Sequence, residues 1–368
     1  MKVLHLNAGV ETGGGMVHIL DLLHHFEQAD VTLGLFEKGL IYDKAIEMGI
    51  KVVLFHQRSR VDFKLLQKMI RLIDQEKLDI VHSHGPRANF YGCFLKRKRP
   101  RIKWIITVHS NPRHDFLGKG LKGKILTFLH LWALKQPDHF LAISNRFKDL
   151  LLSEGVEEGR ITTIYNGIDF SKTQDFSSVS RSDLNIREDD FLIIMVARLC
   201  PVKGHYIVFQ AVKELLELHP NIKLLVVGDG FLKEELKKLV ETLEIKNSVL
   251  FLGHRQDVDS LYKISDVKVL SSFSESFPLV LLEAARAKKP VITTDVGGVR
   301  DLILSKDFGW IVPVKRHDQL KQAIEEAISY KEMDKLREMG LNLYKRASTH
   351  FTIDKFRESV LNTYKSIL

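Results

Sequence analysis

Phe191-Leu192-Ile193-Ile194-Met195-Val196, continued by Ala197-Arg198-Leu199-Cys200-Pro201-Val202-Lys203-Gly204, announces the architecture of the whole chain. Six apolar residues in a row read as a fully buried strand, the proline and glycine end it, and a helix follows. A buried strand feeding a helix through a short turn is the βα unit of a mainly parallel sheet. The same rhythm runs outward in both directions. Downstream the strand candidates are Leu224 to Val227, Val249 to Leu252, Val267 to Leu270, Val291 to Thr293 and Trp310 to Val312. Upstream they are Lys2 to Leu6, Val31 to Phe36, Val52 to Phe55, Asp79 to His82, Trp104 to Val108 and Phe140 to Ile143, with helices such as Met16 to Phe26 and Phe63 to Glu76 between them. Two α/β, Rossmann-like sheets are expected.

Between the halves, Ser171 to Asp183 is rich in Ser and Asp and lacks apolar periodicity, so it reads as a linker. The expected domains are 1–170 and 184–351, with a cleft opening at the linker. Ile353, Phe356, Val360, Leu361 and Tyr364 fall at helical spacing, so 352–368 reads as a docking helix.

At 368 residues, each half can bury its own core. A hydrophobic share of 45% and a charged share of 27% describe an ordinary soluble protein, and no apolar run reaches the roughly 18 residues of a membrane span. Met1 to Asn7 is too short an apolar run for a signal peptide. Cys93 and Cys200 lie far apart without metal-ligand spacing, as a reducing compartment allows, and read as packing residues. A cytoplasmic protein is expected. The net charge of +9 is concentrated: Arg87 to Lys135 holds twelve lysines and arginines against one acid, Asp115. With Phe90, Tyr91, Phe94, Leu95, Trp104, Phe116, Leu117 and Leu121 beside them, these cations predict peripheral docking on an anionic membrane surface; a solvated basic face is the plainer reading. No nucleic-acid-binding signature accompanies them.

Ligands of open α/β sheets bind beyond the carboxyl ends of the strands, so the residues after each strand are the candidates. Gly13-Gly14-Gly15 after the first strand lets a backbone approach an anionic group at a helix start, although a simple tight turn also explains it. His109 ends the fifth strand, where a histidine can donate a hydrogen bond to a ligand. His82 and His84 form an H-x-H pair with no third metal ligand evident, so no metal is expected. Arg198 and Lys203, five residues apart around a proline turn, can clamp a diphosphate from two sides; two loop cations would look the same. Glu275-Ser276-Phe277-Pro278-Leu279-Val280-Leu281-Leu282-Glu283 carries two acids across a turn that leads into a helix. Glu283, among Leu281, Leu282, Ala284 and Ala285, needs a partner for its charge. Asp257-Val258-Asp259 is formally D-x-D and reads as the start of a solvated helix.

The R-L-x-P-x-K-G element at Arg198 to Gly204 and the E-x7-E element at Glu275 to Glu283, in this order, resemble the retaining glycosyltransferase family 4, across nearly the whole chain. The resemblance implies the GT-B fold, with two Rossmann-like domains facing across a cleft. It implies that Arg198 and Lys203 bind the donor diphosphate, Glu283 the ribose and Glu275 the transferred sugar, with the amides of Ser276, Phe277, Leu279 and Val280 completing the cradle. It matches Gly13 to Gly15 with the family's glycine-rich loop, His109 with its active-site histidine, Asn166 with its Tyr165-Asn166-Gly167-Ile168-Asp169 element, and Gly230 and Arg255 with loops flanking the nucleotide. Pro278 stands where glycine is common and removes one amide donor.

By the same resemblance the N-terminal domain binds the acceptor, the C-terminal domain binds the nucleotide sugar, and the terminal helix crosses back onto the first domain. The expected activity is transfer of a hexose or N-acetylhexosamine from a UDP-sugar to a lipid-linked or cell-envelope glycan. It proceeds without a metal or other cofactor, because the two cations stabilise the leaving diphosphate. The rivals are a nucleotide-sugar epimerase or hydrolase on the same scaffold, which would not need R-L-x-P-x-K-G, and an inactive membrane- or carbohydrate-binding regulator. A dehydrogenase is disfavoured by the missing G-x-G-x-x-G.

Overall fold

The computed structural model describes residues 1–11, 13–24, 26, 30–57, 59, 62–113, 120–171 and 179–368. The chain packs as two units, Met1–Asn166 with Ile353–Leu368, and Gly167–Thr352.

The first unit is built on seven parallel strands, β1 (Val3–Asn7), β2 (Val31–Leu35), β3 (Val52–Leu54), β4 (Ile80–His84), β5 (Lys103–Val108), β6 (His139–Ala142) and β7 (Ile161–Thr163), in the order β3-β2-β1-β4-β5-β6-β7. Its helices are α1 (Gly14–His24), α2 (Leu40–Glu47), α3 (Phe63–Glu76), α4 (Pro86–Lys98), α5 (Gly120–Ala133) and α6 (Asn145–Ser153). α3 shows why the periodic reading works. The Asp62 carboxylate accepts the Lys64 and Leu65 amides at 3.0 and 3.1 Å, Leu65, Leu66, Met69 and Ile73 bury one face, and Lys77 closes the helix in a left-handed turn. Edge strand β7 escapes the sequence reading because three residues with two half-exposed threonines make no apolar run.

The second unit holds six parallel strands in the order β10-β9-β8-β11-β12-β13. They are β8 (Phe191–Val196), β9 (Ile222–Val227), β10 (Val249–Gly253), β11 (Val267–Leu270), β12 (Val291–Thr294) and β13 (Trp310–Val312). Its helices are α7 (His205–Leu215), α8 (Lys233–Thr242), α9 (Val258–Ile264), α10 (Leu279–Arg286), α11 (Val299–Leu302), α12 (His317–Glu332) and α13 (Lys335–His350). The last helix, α14 (Ile353–Ile367), belongs to the first unit, where Phe356, Val360 and Tyr364 are buried. Burying such a side chain is worth about 1.5–3 kcal/mol each.

The expected linker is corrected. The division falls at Asn166 and Gly167, and Arg181 is already part of the second unit, paired with Asp266 at 3.0 Å and donating to the Asp190 carbonyl at 2.9 Å. Ser182–Leu184 forms a short 3₁₀ turn; residues 172–178 lie outside the described residues. The direction of winding reverses between β1 and β4 in one sheet and between β8 and β11 in the other. Such switch points are where side chains and loops can meet a ligand.

The apolar partners assigned to the basic segment are corrected as well. Tyr91, Leu95 and Trp104 are core residues, Phe90 and Phe94 pack against the core, and Phe116 and Leu117 lie outside the described residues. Leu121 is exposed. It begins a stripe down α5 with Ile125, Phe128, Leu129 and Trp132, all exposed, while Gly123, His130 and Ala133 take the buried face. Several of the segment's cations are spent on acids outside it, as in Lys96–Asp138 at 2.8 Å, Arg113–Glu154 at 2.5 Å and Arg87–Glu37. Among the described residues no helix is long and apolar enough to cross a membrane.

Candidate active site

In the second unit, β8 delivers Arg198 and Lys203 on one loop, and β11 delivers Glu275 to Phe277 on the neighbouring one. The loops are laced together. The Phe273 amide donates to the Val202 carbonyl at 2.7 Å, and the Ser271 hydroxyl lies 2.9 and 3.0 Å from the Lys203 and Gly204 carbonyls. Gly204 takes φ 65°, and a Cβ there would strike the Ser271 carbonyl, so the turn out of Pro201–Lys203 needs glycine.

Lys203 Nζ and Glu275 Oε1 meet at 2.5 Å with side-chain exposures of 16% and 14%, a half-desolvated pair at the carboxyl ends of the central strands. Burial raises the Glu283 carboxyl above its usual range, with Arg286 and Lys268 pulling it back. Gly298 donates to the Ser276 carbonyl at 3.1 Å, fixing that turn, and Phe277 is buried, stacked on Phe351. Pro278 precedes α10, whose first amides, Leu279 and Val280, are helix-terminal donors. Arg198 is exposed and makes no ion pair among the described residues.

The Arg255 guanidinium donates to its neighbour Asp257 at 2.5 and 2.7 Å. Asp259 does not start a solvated helix: with a side chain 14% exposed, it pairs with Arg286 at 2.8 Å. Asn166 is buried in the first unit, where its Oδ1 lies 2.6 Å from His18 Nδ1. Gly230 keeps its place after β9, its amide donating to Asp229 Oδ1 at 2.8 Å.

Lys268, in the middle of β11, is fully buried and was missed. Its Nζ donates to the Val269 and Val196 carbonyls at 2.9 and 3.3 Å. Burial depresses its ammonium to about 7, against the attraction of Glu283 and Glu275. A lysine interrupting Val267-Lys268-Val269-Leu270 was the available signal.

In the first unit, Gly13 (φ 81°) leads into α1. A Cβ at Gly15 would fall 2.9 Å from Glu11 Oε2 and one at Gly85 3.1 Å from Glu11 Oε1, so the protein sets a carboxylate of its own against the glycine loop. Burial raises that carboxyl. Thr12 lies outside the described residues.

His109 is half-buried at the end of β5 and stands in a cluster of histidines. The register pairs His5 of β1 with His82 of β4, and the period of two puts His84 beyond it. His84 Nδ1 lies 3.2 Å from His109 Nε2, and His5 Nδ1 3.0 Å from His84 Nε2. The expectation that H-x-H lacks a third metal ligand is corrected: His5, His82 and His84, and separately His18, His84 and His109, bring ligand atoms within 4.8 Å of one another. Burial pushes His5 down to about 3 and His18 to about 4, and holds His82, His84 and His109 well below the usual histidine value, with neighbouring histidines adding to the effect.

A model described as "Glycosyltransferase Family 4" matches residues 12–172, and one described as "Glycosyl transferases group 1" matches residues 177–346. N-acetyl-alpha-D-glucosaminyl L-malate synthase of Bacillus anthracis is 30% identical over 277 residues, 73% of this chain and 70% of its own. The chain belongs to glycosyltransferase family 4. A second relative of this glycosyltransferase, the UDP-Gal:alpha-D-GlcNAc-diphosphoundecaprenol alpha-1,3-galactosyltransferase of Escherichia coli, is 28% identical over 311 residues, 81% of this chain and 80% of that one. Anabaena Alr3699/HepE, solved with UDP, shares the fold of this chain at a TM-score of 0.87, with 22% identity and full coverage of both chains. The expected GT-B architecture of a family 4 glycosyltransferase thus holds.

Proposed function

We propose that this glycosyltransferase moves a hexose or N-acetylhexosamine from a UDP-sugar to a lipid-linked or cell-envelope glycan acceptor, with retention of configuration. The Lys203–Glu275 pair carries the reading: a cation and an acid, half shielded from water, stand at the carboxyl ends of the central strands of the second unit. A donor diphosphate draws Lys203 to itself together with Arg198, freeing Glu275 for sugar hydroxyls, while Glu283 takes the ribose and the Leu279 and Val280 amides face the phosphates. Charge that builds on the departing diphosphate is met by preorganised cations in low dielectric, so no metal is needed. The first unit is the acceptor-binding one, with His109 its catalytic histidine. The support for UDP and for a lipid-linked acceptor is that HepE was solved with UDP and that the Escherichia coli relative is named for UDP-Gal and a diphosphoundecaprenol acceptor.

The test is release of nucleotide diphosphate from UDP- and GDP-linked glucose, galactose and N-acetylglucosamine, with EDTA present and absent. Turnover of a UDP-sugar, unchanged by EDTA, is expected. Release of nothing from any donor would leave the inactive-regulator reading, and a strict EDTA requirement would remove the metal-free part. Product stereochemistry by NMR decides retention, and interconversion of the donor without transfer would favour the epimerase.

A second reading concerns the membrane. The exposed stripe Leu121, Ile125, Phe128, Leu129 and Trp132 runs beside Lys122, Lys124 and Arg97, whose guanidinium lies 4.7 Å over the Trp132 ring. Apolar and cationic groups on one exposed helix suit the interface of an anionic leaflet. α5 therefore serves as the peripheral contact at the inner face of the cell membrane.

A further inference from the structure

The histidines of the first unit form one continuous row of hydrogen bonds, and a residue far away in sequence sits within it. From His109 Nε2 it passes to His84 Nδ1 at 3.2 Å, and from His84 Nε2 to His5 Nδ1 at 3.0 Å. His5 Nε2 then meets the Tyr364 hydroxyl of α14 at 3.1 Å. That hydroxyl lies 2.5 Å from His82 Nδ1, and His82 Nε2 lies 2.6 Å from the Thr107 hydroxyl. His5, His82, His84 and Tyr364 are all fully buried, and the first three use both ring nitrogens inside the row. A neutral imidazole has one N–H and one bare nitrogen, so each ring that donates on one side must accept on the other. Through His109, His84 and His5 the bonds must therefore run in a single sense, ending on the Tyr364 hydroxyl. In one sense the proton of His109 sits on Nε2; in the other it sits on Nδ1, the nitrogen the row leaves free.

We propose that Tyr364, acting through His5 and His84, fixes the tautomer of His109 and so decides whether its free nitrogen donates or accepts a hydrogen bond. Tyr364, His5 and His84 are then positioning residues, and the inference rests on His109 being the catalytic histidine of the proposed reaction. The hydroxyl suits the role because it can accept from one imidazole and donate to the other, which no carbon-only side chain does. The cluster also invites a metal, since His18 Nε2 is buried without a hydrogen-bond partner near His84 and His109. The direct nitrogen-to-nitrogen bonds favour the relay, because a ring that donates its proton to a neighbouring nitrogen has no lone pair there for an ion. In a metal site each ligating nitrogen must be bare.

The experiment labels the full chain with [15N]histidine and reads each ring by two-bond proton–nitrogen correlation. In the native protein, His5, His84 and His109 are each expected to show one protonated and one bare nitrogen, in the same sense along the row, across about pH 5.5 to 8.5, a span that brackets the ordinary histidine value. Tyr364→Phe keeps the ring and removes the hydroxyl. It should turn the His109 pattern into a mixture of both tautomers, and lower kcat for donor turnover about tenfold with KM unchanged. A His109 pattern identical in Tyr364→Phe and the native chain overturns the relay. So does a joint shift of His18, His84 and His109 on adding one equivalent of Zn2+, which would make the cluster a metal site. If Tyr364→Phe fails to fold, the native pH series decides alone: protonation of His84 near pH 6.5, or rings that run in opposite senses, overturns the row. Should no sugar nucleotide turn over at all, the glycosyl-transfer reading falls while the nitrogen spectra still decide the relay.

Discussion

Lys203 and Glu275 neutralise each other in a half-desolvated loop, so on the proposed reading an incoming diphosphate would exchange one anion for another instead of facing a bare cation. Lys203→Ala should therefore cut kcat/KM for the donor by about 10²–10³, the usual loss when a preorganised charge-stabilising group is removed, with most of the change in kcat. An effect confined to KM would assign Lys203 to binding alone. Lys268 acts from behind. Lys268→Met removes a buried, poorly solvated charge, so thermal stability is expected to hold or rise. Glu283 then loses a cation that favours its charged form, and KM for the donor should rise about tenfold, equivalent to ~1.4 kcal/mol. An unchanged KM in a folded variant would cut the link between the two residues. Arg198, Lys203 and Glu275 stand out in the sequence because each follows a strand, and Glu283 because it is an acid inside an apolar helix; the burial of Lys268 inside β11 is a property of the folded sheet.

Among the elements, α3 and α14 were legible because their apolar residues recur with the helical period and one face is buried. α5 has the same periodicity with the faces exchanged. Sequence spacing marks an amphipathic face, but it cannot say whether that face meets a core or solvent, and here Gly123, His130 and Ala133 are inside. Phe128→Ser and Ile125→Ser, at 69% and 54% exposure, should leave the unfolding midpoint nearly unchanged, as surface substitutions within about 0.5 kcal/mol do. Both should weaken co-sedimentation with anionic vesicles, and added salt should weaken it further. Equal binding of the native chain and the variants, or binding unaffected by lipid charge, would deny α5 this role.

For the whole molecule, the buried histidines set the response to acid. His5 is depressed to about 3, and His18, His130 and His205 to about 4. The folded protein keeps them neutral where the unfolded chain, titrating near pH 6.5, takes up protons. Their contribution is fully present above about pH 6.5 and is lost as the pH falls toward about 4, at roughly 1.4 kcal/mol per group per unit. The sign for Lys268 is the same but its window is higher, from about 10.5 down to about 7, so stability should climb with pH across both ranges. Unfolding midpoints measured from pH 4 to 9 check this; a protein as stable at pH 4.5 as at pH 7 would show that the cluster is hydrated and charged.

The amino-acid sequence alone specified the alternation of strands and helices, the two parallel sheets and the residues standing at their carboxyl ends, because period and local turn chemistry are short-range properties. Strand order and register were beyond it. Only the fold sets β1 beside β4 so that His5 lies against His82, brings Tyr364 from the last helix to both, and buries Lys268 under the Val196 carbonyl of the neighbouring strand. Groups separated by up to 359 positions meet there, and no spacing along the chain encodes a contact made across a sheet.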